Sequence, residues 1–206
     1  MNGFYINLRK RTDRKKHFEM LKLKYPFFHN IQRIEATEHE NGSIGCGKSH
    51  IRALHKCLEL GNDDVFIICE DDLTITHDQN FKKMTEELDV NKKWDVIVFT
   101  PRGDMPPYIF TGSNFVRICN NQTTSGYIVK RHVIPTLIRV FELAVLGLEQ
   151  KGPPGIYSID QYWKRMQQAH IFCFFKHLYA GQLVGYSDIE KRIVDYNPRF
   201  LSHRSL

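Results

Sequence analysis

Residues 65–72 read VFIICEDD, and they place three consecutive carboxylates at the end of an apolar run. The first five letters, mostly β-branched and aromatic, predict a central β-strand that is covered on both faces. Like charges repel one another, and carboxylates at the edge of a core are costly to desolvate. We therefore expect a divalent cation to neutralise Glu70, Asp71 and Asp72, the alternative being an acidic strand end that caps a helix or faces water. On an extended chain, Glu70 and Asp72 point to one side and Asp71 points to the other.

Further strand-length apolar runs flank this stretch on both sides. The predicted strands are residues 3–8, 31–36, 65–69, 94–100, 115–119, 124–130 and 171–175. The predicted helices are residues 12–24, 48–60, 81–88, 131–147 and 158–168. This alternation predicts an α/β protein, a three-layer α/β sandwich around a mixed, mostly parallel central sheet. Ligands of such sheets bind beyond the carboxyl ends of the strands, which is where the three acids lie.

Two connections can be predicted in more detail. The sequence NNQ at 120–122 reads as a turn that joins strands 115–119 and 124–130 as antiparallel neighbours. Pro135 is tolerated in a helix only within the first turn, so the fourth helix is expected to begin nearer residue 134. Residues 101–114 are rich in Pro, Gly, Asp and Asn and are predicted to form a loop.

The stretch ENGSIGCGKSH, residues 40–50, reads as a glycine-containing loop that opens the second helix. Ser49 is its predicted N-cap, while Gly45 and Gly47 permit a ligand to approach closely. The spacing of the glycines is not that of a phosphate-binding P-loop, which argues against a nucleotide triphosphatase.

Length and composition suit a globular enzyme. The 206 residues, 42% hydrophobic and 25% charged, are expected to form a single domain over 1–206. No apolar run approaches the roughly 20 residues that span a bilayer, and the N-terminus lacks the order of a signal peptide, so we expect a cytoplasmic location. The five cysteines are scattered without a CxxC spacing, and we read most of them as small buried hydrophobic residues.

The net charge of +6 favours an anionic partner, which includes a nucleotide, a phosphorylated substrate, nucleic acid and an acidic membrane surface. Six basic residues and one acid, Asp13, lie between Arg9 and Lys16. This cluster reads equally well as a ligand-binding patch or as the solvated face of a helix.

Six segments in a fixed order resemble one enzyme family. They are INLRKRTDR (6–14), IGCGKSHIRAL (44–54), IICEDD (67–72), TSGYIV (124–129), SIDQYW (158–163) and GQLVGYSDI (181–189). Together they resemble glycosyltransferase family 25, which contains lipooligosaccharide galactosyltransferases and collagen-type galactosyltransferase-like enzymes. The resemblance covers nearly the whole chain. Glu70 stands where many metal-dependent sugar transferases have the first Asp of an Asp-x-Asp motif, and this family commonly shows that exchange.

The resemblance implies a GT-A-like fold and an inverting transfer of a hexose, galactose or glucose, from a UDP-linked donor to a glycan or glycolipid hydroxyl. It also implies a Mn²⁺ or Mg²⁺ ion, because such an ion stabilises a diphosphate leaving group. Asp72 is the expected direct ligand, with Glu70 holding the ribose or the ion through water. His177 is a candidate third ligand, a role that some sugar transferases give to a late histidine.

Inversion requires a base that removes the proton of the acceptor hydroxyl. Asp160 is the first candidate, because the dipole at the start of a helix would keep its carboxylate ionised. Asp188 is the second candidate. Asp160 reads equally well as the N-cap of its helix, and both roles are compatible.

Two groups of residues are expected around the donor. Those at the exit of the first strand, which would meet phosphate, uracil or ribose, are Asn7, Arg9, Arg11 and Asp13. The family pattern adds residues from later segments to the donor pocket, namely Ser49, His50, Asp71, Thr124 and Tyr127. For His50, Thr124 and Tyr127, a purely structural role in packing is the competing interpretation.

Two other functions remain open from the sequence. One is a nucleic-acid- or anion-binding module that uses the basic patch at 9–16, although the acidic triad would repel phosphates there. The other is a family member that binds a nucleotide sugar without catalysis. The leading prediction has no nucleic-acid partner, and the positive charge is compatible with peripheral contact to a membrane that carries the acceptor.

Overall fold

A computed structural model describes residues 1–61, 63–102, 109–110 and 114–197. The strands are β1 (Asn2–Asn7), β2 (Ile31–Glu35), β3 (Val65–Glu70), β4 (Leu73–Ile75), β5 (Val96–Val98), β6 (Ile109–Phe110), β7 (Phe115–Ile118), β8 (Gly126–Lys130), β9 (Phe172–Phe175), β10 (Ala180–Gln182), β11 (Gly185–Ser187) and β12 (Arg192–Val194). The helices are α1 (Thr12–Lys24), α2 (Gly42–Glu59), α3 (Asp78–Glu87), α4 (Ile134–Glu149), α5 (Pro154–Tyr157) and α6 (Ile159–Tyr162). Most of residues 103–113 of the predicted loop lie outside the described residues.

Eight strands form the central sheet in the order β2-β1-β3-β8-β5-β9-β7-β6. The pairs β1–β2, β1–β3 and β5–β9 are parallel, and the remaining four neighbouring pairs are antiparallel. Strands β7 and β8 therefore run against the direction shared by the other six. The mixed, mostly parallel sheet that the sequence predicts is confirmed. Two small antiparallel pairs, β4–β10 and β11–β12, lie outside it.

Helices cover both faces of the sheet, which makes three layers. Phe66 and Ile68 of β3 lie in the same hydrophobic cluster as Leu54 of α2 and Phe141 of α4. Ile67 and Cys69 of the same strand lie in a second cluster, which includes residues of α1 and α3. Because successive side chains of a strand alternate between faces, β3 is buried on both sides, as its apolar composition predicts. None of the described helices is long and apolar enough to span a bilayer.

The predicted antiparallel pairing of residues 115–119 with 124–130 is wrong. Strand β8 lies between β3 and β5, whereas β7 pairs with β9 and β6. Gly126 to Val129 are fully buried, so the ladder groups of β8 need a partner strand on each side. The residues between β7 and β8 therefore form a crossover, not a hairpin turn. The fourth helix begins at Ile134, as Pro135 indicates.

The glycine-rich stretch is part of a helix, which corrects the predicted loop at 40–50. Helix α2 begins at Gly42, and Asn41 caps it by accepting a hydrogen bond of 3.0 Å from the backbone NH of Ser43. A Cβ at Gly45 would lie 2.6 Å from the carbonyl oxygen of Thr37, and one at Gly47 would lie 2.5 Å from a methyl group of Val145. These glycines thus serve close packing of the helix instead of loop flexibility.

The predicted N-cap role of Ser49 is also wrong, because Ser49 lies two turns inside the helix. Its hydroxyl donates a hydrogen bond of 2.6 Å to the carbonyl of Gly45 and accepts one of 2.8 Å from the backbone NH of Thr37. Ser49 therefore links the loop that follows β2 to helix α2 by hydrogen bonds.

Candidate functional site

A cavity of about 600 Å³ lies at the carboxyl ends of β1 and β3. Its walls are the acids 70–72, the loop 36–40, the first turns of α2 and residues 187–189 of the C-terminal segment. Parallel neighbours such as β1 and β3 end at the same edge of a sheet, and this edge is where α/β proteins bind ligands. The cavity therefore forms where the acidic stretch predicts a site.

A second cavity, of about 350 Å³, adjoins the first. It is lined by Arg102, the polar segment 122–125 and residues 158–161. The residues that line both cavities are Cys46, Glu70, Gln182, Ile189 and Tyr196. Glu70, at the end of β3, thus lines both cavities.

The three acids do not alternate as they would on an extended chain. Strand β3 ends at Glu70, and Asp71 and Asp72 form the turn into β4, so all three line the first cavity. Arg14 Nη1 lies 3.1 Å from Asp71 Oδ1 and 3.2 Å from Asp72 Oδ2. Asn7 donates a hydrogen bond of 2.7 Å to Asp71. The turn brings together charges that an extended strand would have separated.

Negative charge is in excess at this turn. Burial, and then the charge of Glu70, raises the pKa of Asp72 to about 7, although Arg14 opposes the shift. Burial also raises the pKa of Asp71. Burial raises the pKa of Glu70, but contact with His50 and a hydrogen bond from Thr124 lower it by more. The pKa of Glu70 therefore lies below its ordinary value. An added cation at Asp72 would relieve this excess charge.

Three residues expected near the donor form a chain of contacts that leads to Glu70, and one of them, His50, also lines the first cavity. Thr124 donates a hydrogen bond of 3.0 Å to Glu70 Oε1, and His50 Nε2 lies 3.4 Å from the same oxygen. His50 is completely buried, and its Nδ1 shares a hydrogen bond of 3.1 Å with the hydroxyl of Tyr127. Within the part of the chain that the structure describes, His50 Nε2 has no hydrogen-bond partner. These residues support Glu70, and Tyr127 lines neither cavity.

Two basic residues that follow strand β1, Lys10 and Arg11, form ion pairs with Asp188. Arg11 Nη1 donates a hydrogen bond of 2.7 Å to Asp188 and another, of 3.0 Å, to the carbonyl of Tyr186. Arg11 also binds both carboxylate oxygens of Asp13 at 3.0 and 2.8 Å, and this lowers the pKa of Asp13 to about 2. Lys10 lies 3.5 Å from Asp188. These ion pairs tie the β11–β12 segment to the rim of the first cavity.

Asp160 lies in the second cavity, and the structure changes two expectations about it. Ser158, not Asp160, occupies the N-cap position of α6. Burial, and then the charge of Glu70, raises the pKa of Asp160 against the opposing charges of Lys164 and Arg102. The helix dipole was expected to keep this carboxylate ionised. Helix α6 has only four residues, so burial and Glu70 prevail.

Arg9 and His177 are among the predicted site residues that line neither cavity. Arg9 is exposed and lines neither of the two cavities. His177 packs edge-on against Phe175, with ring centroids 5.5 Å apart, and burial followed by Lys83 and Lys176 lowers its pKa. Among the described residues of the two cavities His177 is absent, so its predicted metal contact has no geometric support.

Sequence reasoning missed three residues of the site. Arg14 was not assigned to it, although its charge faces Asp71 and Asp72. Gln182 donates to both oxygens of Asp72 at 3.4 Å. Cys46 lies with His50 and Glu70 in a group whose ligand atoms are all within 4.8 Å of one another. Its four-residue spacing from His50 is the signal that would have found it, had residues 40–50 been recognised as helical.

The residues of the turn fit a hard divalent cation. Asp72 and Glu70 supply carboxylate oxygens, the ligand type that Mg²⁺ and Mn²⁺ prefer. Burial first and the charge of Glu70 second raise the pKa of Asp72, and Arg14 offsets them only in part. A cation bound here would also face the open volume of the first cavity, where a diphosphate has room.

Comparison with known proteins gives one family and a set of similar folds. The model of glycosyltransferase family 25 (LPS biosynthesis protein) matches residues 36–146. A glycosyltransferase involved in the glycosylation of the major capsid of PBCV-1 is 13% identical, with 91% of this chain and 94% of that chain covered and a TM-score of 0.54. A protein from STIV is also 13% identical, with 94% and 93% covered and a TM-score of 0.49. No curated protein sequence matches the chain.

Proposed function

The chain belongs to glycosyltransferase family 25, and on this basis we propose that it transfers a hexose, galactose or glucose, from a UDP-linked donor to a glycan hydroxyl with inversion. The GT-A-like sandwich agrees with this assignment. The observation that carries the proposal is the meeting of two cavities at Glu70, one with acids and cations together, the other with a half-buried carboxylate, Asp160.

The first cavity is proposed as the donor site. Its volume of about 600 Å³ lies within the usual range of small-molecule sites, roughly 300 to 1,000 Å³. Lys10, Arg11 and Arg14 line it and supply positive charge to phosphate groups. Asn7 and Asp13 do not line the cavity but orient residues that do. Asn7 donates a hydrogen bond to Asp71, and Asp13 accepts one from Arg11. The nucleotide would therefore meet residues already oriented by ion pairs.

Asp72, assisted by Glu70, is proposed to hold Mn²⁺ or Mg²⁺. Such an ion would stabilise the negative charge that develops on the departing diphosphate. The chain's own contribution is to orient the two carboxylates. Gln182 and Arg14 hold Asp72, while Thr124 and His50 hold Glu70.

Asp160 is proposed as the base that serves the acceptor in the second cavity. The acceptor oxygen attacks the anomeric carbon as the bond from that carbon to the diphosphate oxygen breaks, and the hydroxyl proton passes to Asp160. A raised pKa suits this role, because a base works best when its pKa approaches the operating pH. Asp188 is less suited, since Arg11 and Lys10 already pair with its carboxylate. Its proposed role is to hold the β11–β12 segment beside the donor.

The lining of the second cavity fits a glycan acceptor. Gln122, Thr123, Ser125 and Gln161 supply amide and hydroxyl groups that hydrogen-bond sugar hydroxyls. A nucleic-acid-binding role is disfavoured, because Lys10, Arg11 and Arg14 line a cavity of small-molecule size together with Glu70, Asp71 and Asp72, whose carboxylates would repel a polyphosphate backbone that brings no metal ion. Peripheral contact with an acceptor-bearing membrane is a further proposal, which rests on the net charge of +6.

The proposal is tested by thermal unfolding with nucleotide sugars, with Mn²⁺ and with EDTA. At about 100 times its dissociation constant, the correct donor stabilises the fold by roughly 2.7 kcal/mol. We expect this shift with a UDP-hexose and Mn²⁺, and its loss with EDTA or with Asp72→Asn. If no uridine, guanosine or cytidine sugar shifts the transition, the donor assignment is wrong. If a donor shifts it but no sugar reaches any glycan acceptor, the chain binds without catalysis.

A further inference from the structure

Cys46, His50 and Glu70 form a compact group of three different ligand types. Cys46 and His50 are separated by four residues on α2, so their side chains lie on the same face of the helix. Glu70 reaches them from the end of β3. The thiol sulfur, an imidazole nitrogen and a carboxylate oxygen all lie within 4.8 Å of one another. Three side chains from two rigid elements thus converge on one point.

His50 supplies the second, independent observation. Its Nε2 is fully buried and has no hydrogen-bond partner in the described structure, although a buried polar atom without a partner is costly. The atom points at Glu70 Oε1 from 3.4 Å, and the opposite ring nitrogen is engaged by Tyr127. A metal-binding histidine has this arrangement, with one nitrogen fixed by a hydrogen bond and the other free for the ion.

A supporting shell is also present around Glu70. Its Oε1 accepts a hydrogen bond from Thr124, and its backbone NH donates one of 2.8 Å to the carbonyl of Ser125. The side chain of Cys46 is partly exposed and lines both cavities, so an ion and a fourth ligand can reach it. Zinc forms bonds of about 2.0 to 2.3 Å with ligands of these types, so the three ligand atoms must move about 1 Å closer together to bind one ion.

We propose that Cys46, His50 and Glu70 form a metal site selective for Zn²⁺, which shares only Glu70 with the hard-ion site at Asp72. Thiolate and imidazole ligands favour Zn²⁺, whereas Mg²⁺ and Mn²⁺ favour oxygen ligands. When the sulfur–zinc bond forms, the thiol releases its proton to solvent. Because Glu70 belongs to both groups of ligands, Zn²⁺ at this site withdraws that carboxylate from the donor-binding turn. The inference does not depend on the transferase activity.

Co²⁺ absorption tests the proposal, because a cobalt–thiolate bond has its own charge-transfer band. Titration of the full-length, metal-free protein should show this band with one Co²⁺ per chain, and Zn²⁺ should abolish it. Cys46→Ser should remove the band. Cys119→Ser is the matched control, since Cys119 is an exposed free cysteine outside the group, and it should leave the band unchanged. Asp72→Asn should also leave it unchanged.

A band that survives Cys46→Ser, or that disappears with Cys119→Ser, overturns the proposal, as does the absence of any thiolate band. A second measurement needs no variant. In the wild-type protein, Zn²⁺ should suppress iodoacetamide alkylation of Cys46 and leave that of Cys119 unaffected, as followed by peptide mass spectrometry. Equal alkylation of Cys46 with and without Zn²⁺ overturns the site. Since neither measurement contains a nucleotide sugar, their failure is distinct from failure of the proposed transferase function.

Discussion

Arg14 lies 3.2 Å from Asp72, with both side chains nearly buried, and the same guanidinium nitrogen binds Asp71 at 3.1 Å. One cation on the first helix therefore serves two carboxylates at the end of the third strand. Glu70 adds a further negative charge next to them, so the positive charge of Arg14 is insufficient for the turn. This imbalance connects the stability of the metal-free protein with its proposed affinity for a divalent ion.

Removal of Arg14 should destabilise the protein strongly. Arg14→Met keeps an unbranched apolar stem but leaves two buried carboxylates without their cation, which typically costs about 3 to 5 kcal/mol. Urea unfolding in EDTA measures the change in the free energy of unfolding. Lys15→Met, on the exposed face of the same helix, is the control and should change stability by no more than about 0.5 kcal/mol. Equal effects of the two substitutions would contradict the assigned role of Arg14.

Asp72 should destabilise the metal-free protein in a pH-dependent way. Its pKa is about 7 in the folded state and 3.8 for the unperturbed group, so folding opposes its ionisation. The penalty is absent below pH 3.8, grows as the pH rises towards 7 and is then fully present. In EDTA at pH 8, Asp72→Asn should therefore be more stable than the wild type, by on the order of 4 kcal/mol.

The measurement is urea unfolding of both proteins between pH 4 and pH 8. The two stabilities should converge as the pH falls, and Mn²⁺ with donor should reverse their order at pH 8, because only the wild type binds the ion through Asp72. A stability difference that is independent of pH would show that Asp72 is not the group that titrates.

Substitution of Asp160, on the acceptor side, and of Asp188, on the donor side, should change different kinetic parameters. Asp160→Asn should lower kcat by about 10² to 10⁴, the usual contribution of a general base, with little change in the donor KM. Asp188→Asn should instead raise the donor KM, because Arg11 then loses its partner at 2.7 Å. Steady-state transfer kinetics at varied donor concentration separate the two effects.

The pH profile gives a second readout for the base. The pKa of Asp160 is raised, so kcat should increase with pH as its carboxylate ionises, with a midpoint above the ordinary value of 3.8. This acidic limb should be absent in Asp160→Asn and present in Asp188→Asn. If the limb persists in Asp160→Asn, another group removes the acceptor proton.

Gly45 should not tolerate alanine, although alanine favours helices by roughly 1 kcal/mol over glycine. A Cβ at this position would lie 2.6 Å from the backbone oxygen of Thr37, so the loop that lines the donor cavity must shift. We expect Gly45→Ala to destabilise the protein by about 1 to 3 kcal/mol in chemical denaturation. Gly155→Ala, in helix α5 where a Cβ would meet nothing within 4 Å, is the control and should be neutral or slightly stabilising. A neutral result at both positions would refute the close packing.

Local patterns in the sequence predicted the elements that are defined by their own residues. Thr12–Lys24 is helical over the predicted range, and β3 has the buried apolar run that its composition indicates. These predictions succeed because periodicity and side-chain type report which face of an element is buried. They fail at α2, whose early glycines suggest a loop when taken alone. Only the proximity of Thr37 and Val145 shows why glycine is required inside the helix.

The acidic stretch and its location at a strand end could be read from the sequence, because three carboxylates after an apolar strand require a cation at the edge of the sheet. The partners of those carboxylates could not. Arg14 and Gln182 are 56 and 112 residues away from Glu70 along the chain, and they reach the neighbouring Asp71 and Asp72 only through the folding of distant segments. The chain's composition thus specifies which charges must be neutralised. The packing of the sheet determines which groups neutralise them, because burial and distance, not sequence separation, set the strength of each interaction.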